Sequence, residues 1–102
     1  LDVNDMKFCN TPGFFNSDSF YQYMVDAFET LVIEGATSPR MMTVGLHCRV
    51  VGRPARAMAL RRFLVYLKRR RAELEAEGSG VWVATRQEIA KHWRQTHPPV
   101  QP

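Results

Sequence analysis

Thr43-Val44-Gly45-Leu46-His47-Cys48-Arg49 is a short apolar run that stops on a histidine. Three residues further on, Gly52-Arg53-Pro54 carries the signature of a helix start, because a proline in the first turn has no N–H to leave unpaired there. A buried strand that ends on an imidazole just before a helix has the layout of an active-site loop. In α/β enzymes the chemistry gathers at the carboxyl ends of the strands. The imidazole is also the side chain that exchanges a proton near neutral pH without help from its surroundings.

Working outward, the pattern predicts helix, strand, helix, strand, helix. Residues 1–16 read as irregular, with Asn10-Thr11-Pro12-Gly13 as a turn. A helix capped by Ser17 or Asp18 is expected to reach about Glu34, with Phe20, Met24, Phe28 and Leu31 on one face. A strand follows at about Met41–Leu46. The second helix runs from Pro54 to about Glu77, with Leu60, Phe63, Leu64, Leu67 and Leu74 at helical spacing, and Gly78-Ser79-Gly80 stops it. Val81–Ala84 reads as a second short strand. Thr85-Arg86-Gln87-Glu88 is a capping box opening a last helix to about Gln95. This order is that of βα units sharing a parallel sheet, an α/β fold. Two short strands make a poor sheet alone, so the organisation implies missing neighbours.

The chain has 102 residues, 45% of them hydrophobic, which suits one small globular unit and excludes wholesale disorder. No apolar run approaches a membrane span, and the candidate Leu31-Val32-Ile33 ends at Glu34. The opening Leu-Asp-Val-Asn-Asp has no secretory signal character, and a start without methionine suggests cutting from something longer. Cys9 and Cys48 make neither a disulfide framework nor a metal-binding pair, so two reduced thiols in a cytoplasmic protein is the simpler reading. The net charge of +4 is unevenly spread: residues 1–39 hold six acids against Lys7, and residues 40–71 hold ten bases and no acid. The two halves could pair with each other, or the basic half could face an anionic partner.

His47 is the strongest candidate for chemistry, against the plainer reading of a hydrogen-bonded core histidine. Arg49 and Arg53 flank it and could hold a carboxylate or carbonyl. On a continuing strand Cys48 would face away from His47, which argues against a Cys/His nucleophile pair. The two carboxylates of Asp2-Val3-Asn4-Asp5 could orient an imidazole, although acids near a chain end are usually solvated. Lys68-Arg69-Arg70-Arg71, with Arg61 and Arg62 before it, invites a nucleic-acid reading. Four consecutive bases, however, wrap the whole helix, and no stacking aromatics interleave them. A solvated helix end explains them more simply. Trp82 and Trp93 read as packing residues, His97 as part of the tail. His92 and Trp93 point in different directions, and the histidines are too few for a zinc site.

Asp2-Val3-Asn4-Asp5-Met6, followed by Met41 through Arg49, Gly52-Arg53-Pro54 and Ile89-Ala90-Lys91-His92-Trp93-Arg94, resembles the carboxyl-terminal part of the polysaccharide deacetylase (NodB-homology) family. The closest match is its allantoinase-like, or chitin deacetylase-like, branch. The resemblance covers essentially the whole chain and about the last third of a family member. It implies part of a distorted (β/α) barrel, here two strands and three helices. Residues 1–97 would belong to the catalytic domain and 98–102 to a loose tail. It also implies hydrolysis of non-peptide carbon–nitrogen bonds. The family's Leu-x-His motif matches Leu46-His47 at one residue's offset, which gives His47 the role of general acid to the departing nitrogen. The Asp-x-x-Asp-Trp motif matches Asp2 and Asp5, with Asp5 tuning the histidine and Met6 standing in for the tryptophan.

Methionine keeps an apolar wall but loses a flat stacking surface, which favours a small ureide over a sugar polymer. Met6 and Arg49 are thus the expected substrate contacts. The family's catalytic base and its metal-binding Asp-His-His set lie in an earlier part, so a divalent metal such as zinc would be held there. No metal ligand is expected in this segment. The expected partner is a small ureide or N-acetylated sugar, with no membrane or nucleic acid, and a homo-oligomer is left open. The competing reading is a small basic module that binds nucleic acid or an acidic partner through Arg61–Arg71. The isolated segment is expected to be inactive and to expose Phe20, Phe28, Leu46 and Trp82.

Overall fold

The computed structural model describes residues 2–101. It contains a 3-10 helix, Asp5–Phe8, and four α-helices: α1 (Ser17–Gly35), α2 (Cys48–Val51), α3 (Pro54–Ala76) and α4 (Arg86–Thr96). Their ends are written in local chemistry. Asn16, one residue before the expected caps, closes a reciprocal box with Ser19 at the start of α1: its side-chain oxygen accepts from the Ser19 N–H at 3.0 Å. Pro54 occupies the first turn of α3. At its far end Gly78 adopts φ +87°, which lets the Ser79 N–H reach the Leu74 carbonyl at 2.8 Å and the Gly78 N–H reach that of Glu75 at 3.1 Å. Those two bonds satisfy carbonyls that a helix end otherwise leaves open. The Thr85–Glu88 box opens α4 as the sequence predicts.

α1 packs along α3, and the core lies between them. Phe20 and Met24 of α1 meet Ala59 and Phe63 of α3, with Val51 and Val3 closing the end. Phe20 is fully buried, its ring 5.3 Å from that of Phe8 and 4.8 Å from that of Phe14. Across the rim, acids of the first half meet bases of the second. Asp18 pairs with Arg62, and Glu29 accepts two bonds from Arg70, from Nε at 2.7 Å and from Nη2 at 3.2 Å. The sign asymmetry of the sequence is thus partly an α1–α3 seam. Arg69 and Arg71 are answered within α3 by Glu73 and Glu75. Lys68, Arg69 and Arg71 stay exposed toward the end of α3, as expected of a solvated helix end, and Arg70 alone of the four is drawn into the seam.

The two expected strands do not form. Among the described residues the sole strand-like pairing is an isolated parallel bridge between Asn4 and Gly45. An extended segment becomes a strand when a neighbour accepts its ladder, and neither 41–46 nor 81–84 has one beyond that bridge. The same absence of neighbours leaves apolar surface uncovered. Trp93 is 61% exposed and so is not the packing residue expected, Trp82 is 56% exposed as expected of the segment alone, and α4 buries no residue at all. Leu46 is exposed as expected, whereas Phe20 is not, because the Phe8 and Phe14 rings cover it. The radius of gyration, 15.8 Å, exceeds the roughly 13 Å of a self-contained domain of about 100 residues. Among the described residues no helix is long and apolar enough to cross a membrane.

Candidate active site

Asn4 is extended (φ −149°, ψ 131°) and sits opposite Gly45, whose N–H donates to the Val3 carbonyl at 2.8 Å and whose carbonyl accepts from the Asp5 N–H at 3.0 Å. The chain then tightens at once into the 3-10 helix, and this bend sends the Asp5 side chain inward. Asp5 has no exposed surface. A buried carboxylate must find partners, and it finds three. One oxygen lies 2.7 Å from Nδ1 of His47; the other accepts from the backbone N–H of His47 at 2.7 Å and of Val51 at 3.2 Å.

His47 ends the extended segment and becomes the residue that precedes α2. The helix takes over at Cys48, so Cys48 is exposed on a helical turn and not on the back of a strand as expected. The His47 carbonyl receives the N–H groups of Val50 and Val51, at 2.9 and 3.0 Å. Its side chain is 43% exposed. A carboxylate oxygen accepts and does not donate, so Nδ1 carries the hydrogen of the shared bond. Nε2 is left as the nitrogen that can gain or release a proton toward solvent. A histidine oriented through one nitrogen and free at the other is equipped for general acid–base work.

The remaining expected residues fall around this pair in different ways. Asp2, the other acid of its motif, is separate: it accepts from the Tyr23 hydroxyl at 2.6 Å and faces Lys7 at 3.5 Å. The tyrosine's hydrogen bond, aided by the Lys7 charge, draws the Asp2 carboxyl below its ordinary range, and the same bond pushes the Tyr23 phenol up. Met6 directly follows Asp5 and is half-buried, its N–H taken by the Asn4 side chain at 2.9 Å. Arg49 is exposed on α2, and Arg53 precedes α3. His92 touches Trp82 edge-on, and His97 stacks on Trp93, both away from Asp5 and His47 in their contacts.

Sequence reasoning missed Asn4 and Arg56. Asn before an acid at a first turn is a capping signal and could have been read. Arg56 holds its guanidinium 5.1 Å from the Phe8 ring and reaches the Val50 carbonyl at 3.4 Å, tying α3 to both elements that bear the pair. Nothing in its local sequence marks that contact. The open surface grooves run along α3 past Ala57, Leu60, Leu64 and Val65. These are not the residues around His47, and the hydrogen-bond geometry is the stronger pointer to chemistry.

Among the described residues no three His, Cys, Asp or Glu side chains are grouped to hold a metal. A zinc site needs three or four protein ligands, so Asp5 and His47 alone do not make one.

Along nearly its whole length the chain is similar to polysaccharide deacetylases and to an allantoinase. It is 48% identical over 99 residues to the "Putative polysaccharide deacetylase" of Schizosaccharomyces pombe, a match that takes in 96% of this chain and 28% of that protein. The crystal structure of Puue allantoinase superposes with a TM-score of 0.84 at 46% identity, over 98% of this chain and 30% of that one. That of the "probable Polysaccharide deacetylase from Pseudomonas aeruginosa PAO1" gives 0.84 at 47% identity, over 98% and 31%. No protein-family model matches. The chain thus spans under a third of the length of each of these relatives. The resemblance read from Asp2–Met6 and Gly45–Arg49 holds.

Proposed function

We propose that this segment supplies the general acid of a hydrolase that cleaves non-peptide carbon–nitrogen bonds. The observation that carries the reading is the buried Asp5 carboxylate 2.7 Å from Nδ1 of His47, with the ring itself 43% exposed. Breaking an amide or ureide bond needs a base for the water, a stabiliser for the developing oxyanion and a proton for the departing nitrogen. Nε2 of His47 delivers that proton, while Asp5 fixes the ring and balances the charge of its protonated form. Exposed Arg49, two residues further on, meets a substrate carbonyl, and Met6 supplies an apolar wall beside Asp5.

The base and the oxyanion stabiliser come from the rest of a longer protein in which this segment forms the carboxyl-terminal part of a (β/α) barrel. Any divalent metal would be held there. The uncovered Trp82, Trp93 and Leu46 support such a setting, since a barrel would give 41–46 and 81–84 their neighbours. The substrate is a small ureide of the allantoin type in preference to an N-acetylated sugar polymer, because Met6 offers no flat ring face. The unpaired thiols Cys9 and Cys48 suit a reducing, cytoplasmic setting.

The test is His47→Ala in the complete enzyme. Turnover should fall by about 10²–10⁴-fold, the usual worth of a positioned acid, with the thermal midpoint little changed for a half-exposed ring. Undiminished turnover removes His47 from the reaction. Measuring allantoin ring opening beside acetate release from chitin oligomers separates the two substrate classes.

A further inference from the structure

The Asp5–His47 pair joins two segments far apart in sequence, and something must hold their relative position to a fraction of an ångström. Two hydrogen bonds with Gly45, one donated to the Val3 carbonyl and one accepted from the Asp5 N–H, fix the backbone on either side of Asn4. They set the register, so that Asp5 and His47 fall on matching sides. They do not fix where the chain goes next. One residue beyond the bridge it must leave the extended conformation for a tight turn, and the first N–H groups of that turn have no helical partner. Asn4 answers this with its side chain, whose Oδ1 takes the Met6 N–H at 2.9 Å, while its carbonyl takes the Lys7 N–H at 3.3 Å.

We propose that Asn4 is a positioning residue for the acid–base pair, its side-chain oxygen holding the turn that aims the Asp5 carboxylate at His47. The inference rests on the general-acid reading of His47. Asn4 has no hydrogen bond to the imidazole and acts through Asp5. The geometry makes the carboxylate sensitive to the turn: its two oxygens must meet three N–H groups on the opposite segment, two of them at 2.7 Å. A loosened turn swings the carboxylate as a lever, and a misplacement of about 1 Å in such a constellation can cost roughly 10²-fold in rate. An aspartate placed by backbone pairing alone would need no side-chain oxygen at position 4.

The experiment compares Asn4→Gly, Asn4→Ser and His47→Ala in the complete enzyme, with allantoin as the probe substrate. Glycine is tolerated at caps almost as well as asparagine, so this variant should fold, and serine restores a capping oxygen. Asn4→Gly should lower kcat by about 10–100-fold with KM little changed. The nitrogen resonances of the His47 imidazole should move from a single Nδ1–H form toward a mixture, and Asn4→Ser should recover most of both. Unchanged kcat and an unchanged imidazole signature in Asn4→Gly overturn the proposal, as does a loss that serine fails to restore. If His47→Ala retains turnover, the general-acid reading falls, and the imidazole signature alone then decides whether Asn4 positions the pair.

Discussion

Asp5 grips His47 twice, one carboxylate oxygen 2.7 Å from Nδ1 of the ring and the other 2.7 Å from the backbone nitrogen of the same residue. The ring is therefore held by the group that also holds its main chain, and neither can turn without the other.

Asp5→Asn tests that arrangement at nearly constant volume. The amide can accept with one oxygen, yet three N–H groups face it. With the oxygen kept by the two backbone donors, the new NH2 confronts Nδ1, which must then accept and pass its hydrogen to Nε2. Nitrogen NMR of the complete enzyme should show His47 in the Nε2–H form. Turnover should drop by about 10²–10⁴-fold, and stability by about 1.5–3 kcal/mol for the lost bonds to a charged group. An unswitched ring with full turnover would reduce Asp5 to a structural role.

Phe20 and Phe15 give a contrast in the same stretch. Phe20 is fully buried against Phe8 and Phe14, whereas Phe15 is 94% exposed. Phe20→Ala should cost about 3–5 kcal/mol, the transfer loss plus the cavity left behind. Phe15→Ala should stay within about 0.5 kcal/mol. Urea midpoints at constant slope measure both, and similar losses at the two sites would contradict the packing described.

Legibility followed the range of the interactions involved. The starts of α3 and α4 were readable because Pro54 and the Thr85–Glu88 box act within one turn of themselves. The Phe20 and Met24 face was readable from its spacing. The strands at 41–46 and 81–84 were misread because extended character is local, whereas strand pairing needs a neighbour that these residues lack. The packing role read for Trp93 failed for the same reason: an apolar side chain says that it wants covering, not that this segment provides the cover. At the site, His47 was legible from its place at the end of an apolar run, whereas Asp5 was a weak candidate until the family motif singled it out. Spacing between residues 42 apart carries no signal until the Asn4–Gly45 bridge brings them together.

Gly78 should resist replacement for a reason unconnected with crowding. A Cβ there would meet nothing within 4 Å, but φ is +87°. The cost is that of holding an L-residue in a left-handed conformation, about 1–2 kcal/mol. Gly78→Ala should lower the thermal midpoint accordingly and Gly78→Asn by less, since asparagine visits that region more readily. Equal stability for all three would mean that the Ser79–Leu74 closure contributes nothing.

The Glu29, Tyr66 and Arg70 cluster should set the pH limits of the α1–α3 seam. Arg70's two hydrogen bonds, with a further one from Tyr66, hold the Glu29 carboxyl below its ordinary 4.5. Its contribution is therefore present above that value and is lost as pH falls through the folded one. Burial first, and the Glu29 carboxylate second, push the Tyr66 phenol from 10.0 up to about 12. The folded state then prefers the neutral phenol, so this contribution is full below pH 10.0 and declines as pH rises toward about 12. Stability measured by urea unfolding should be level between these limits and fall on both sides. Glu29→Gln should flatten the acid limb and lower the plateau, and Tyr66→Phe should flatten the alkaline limb. Curves that stay parallel to the parent's across the whole range would show that the cluster does not couple the two helices.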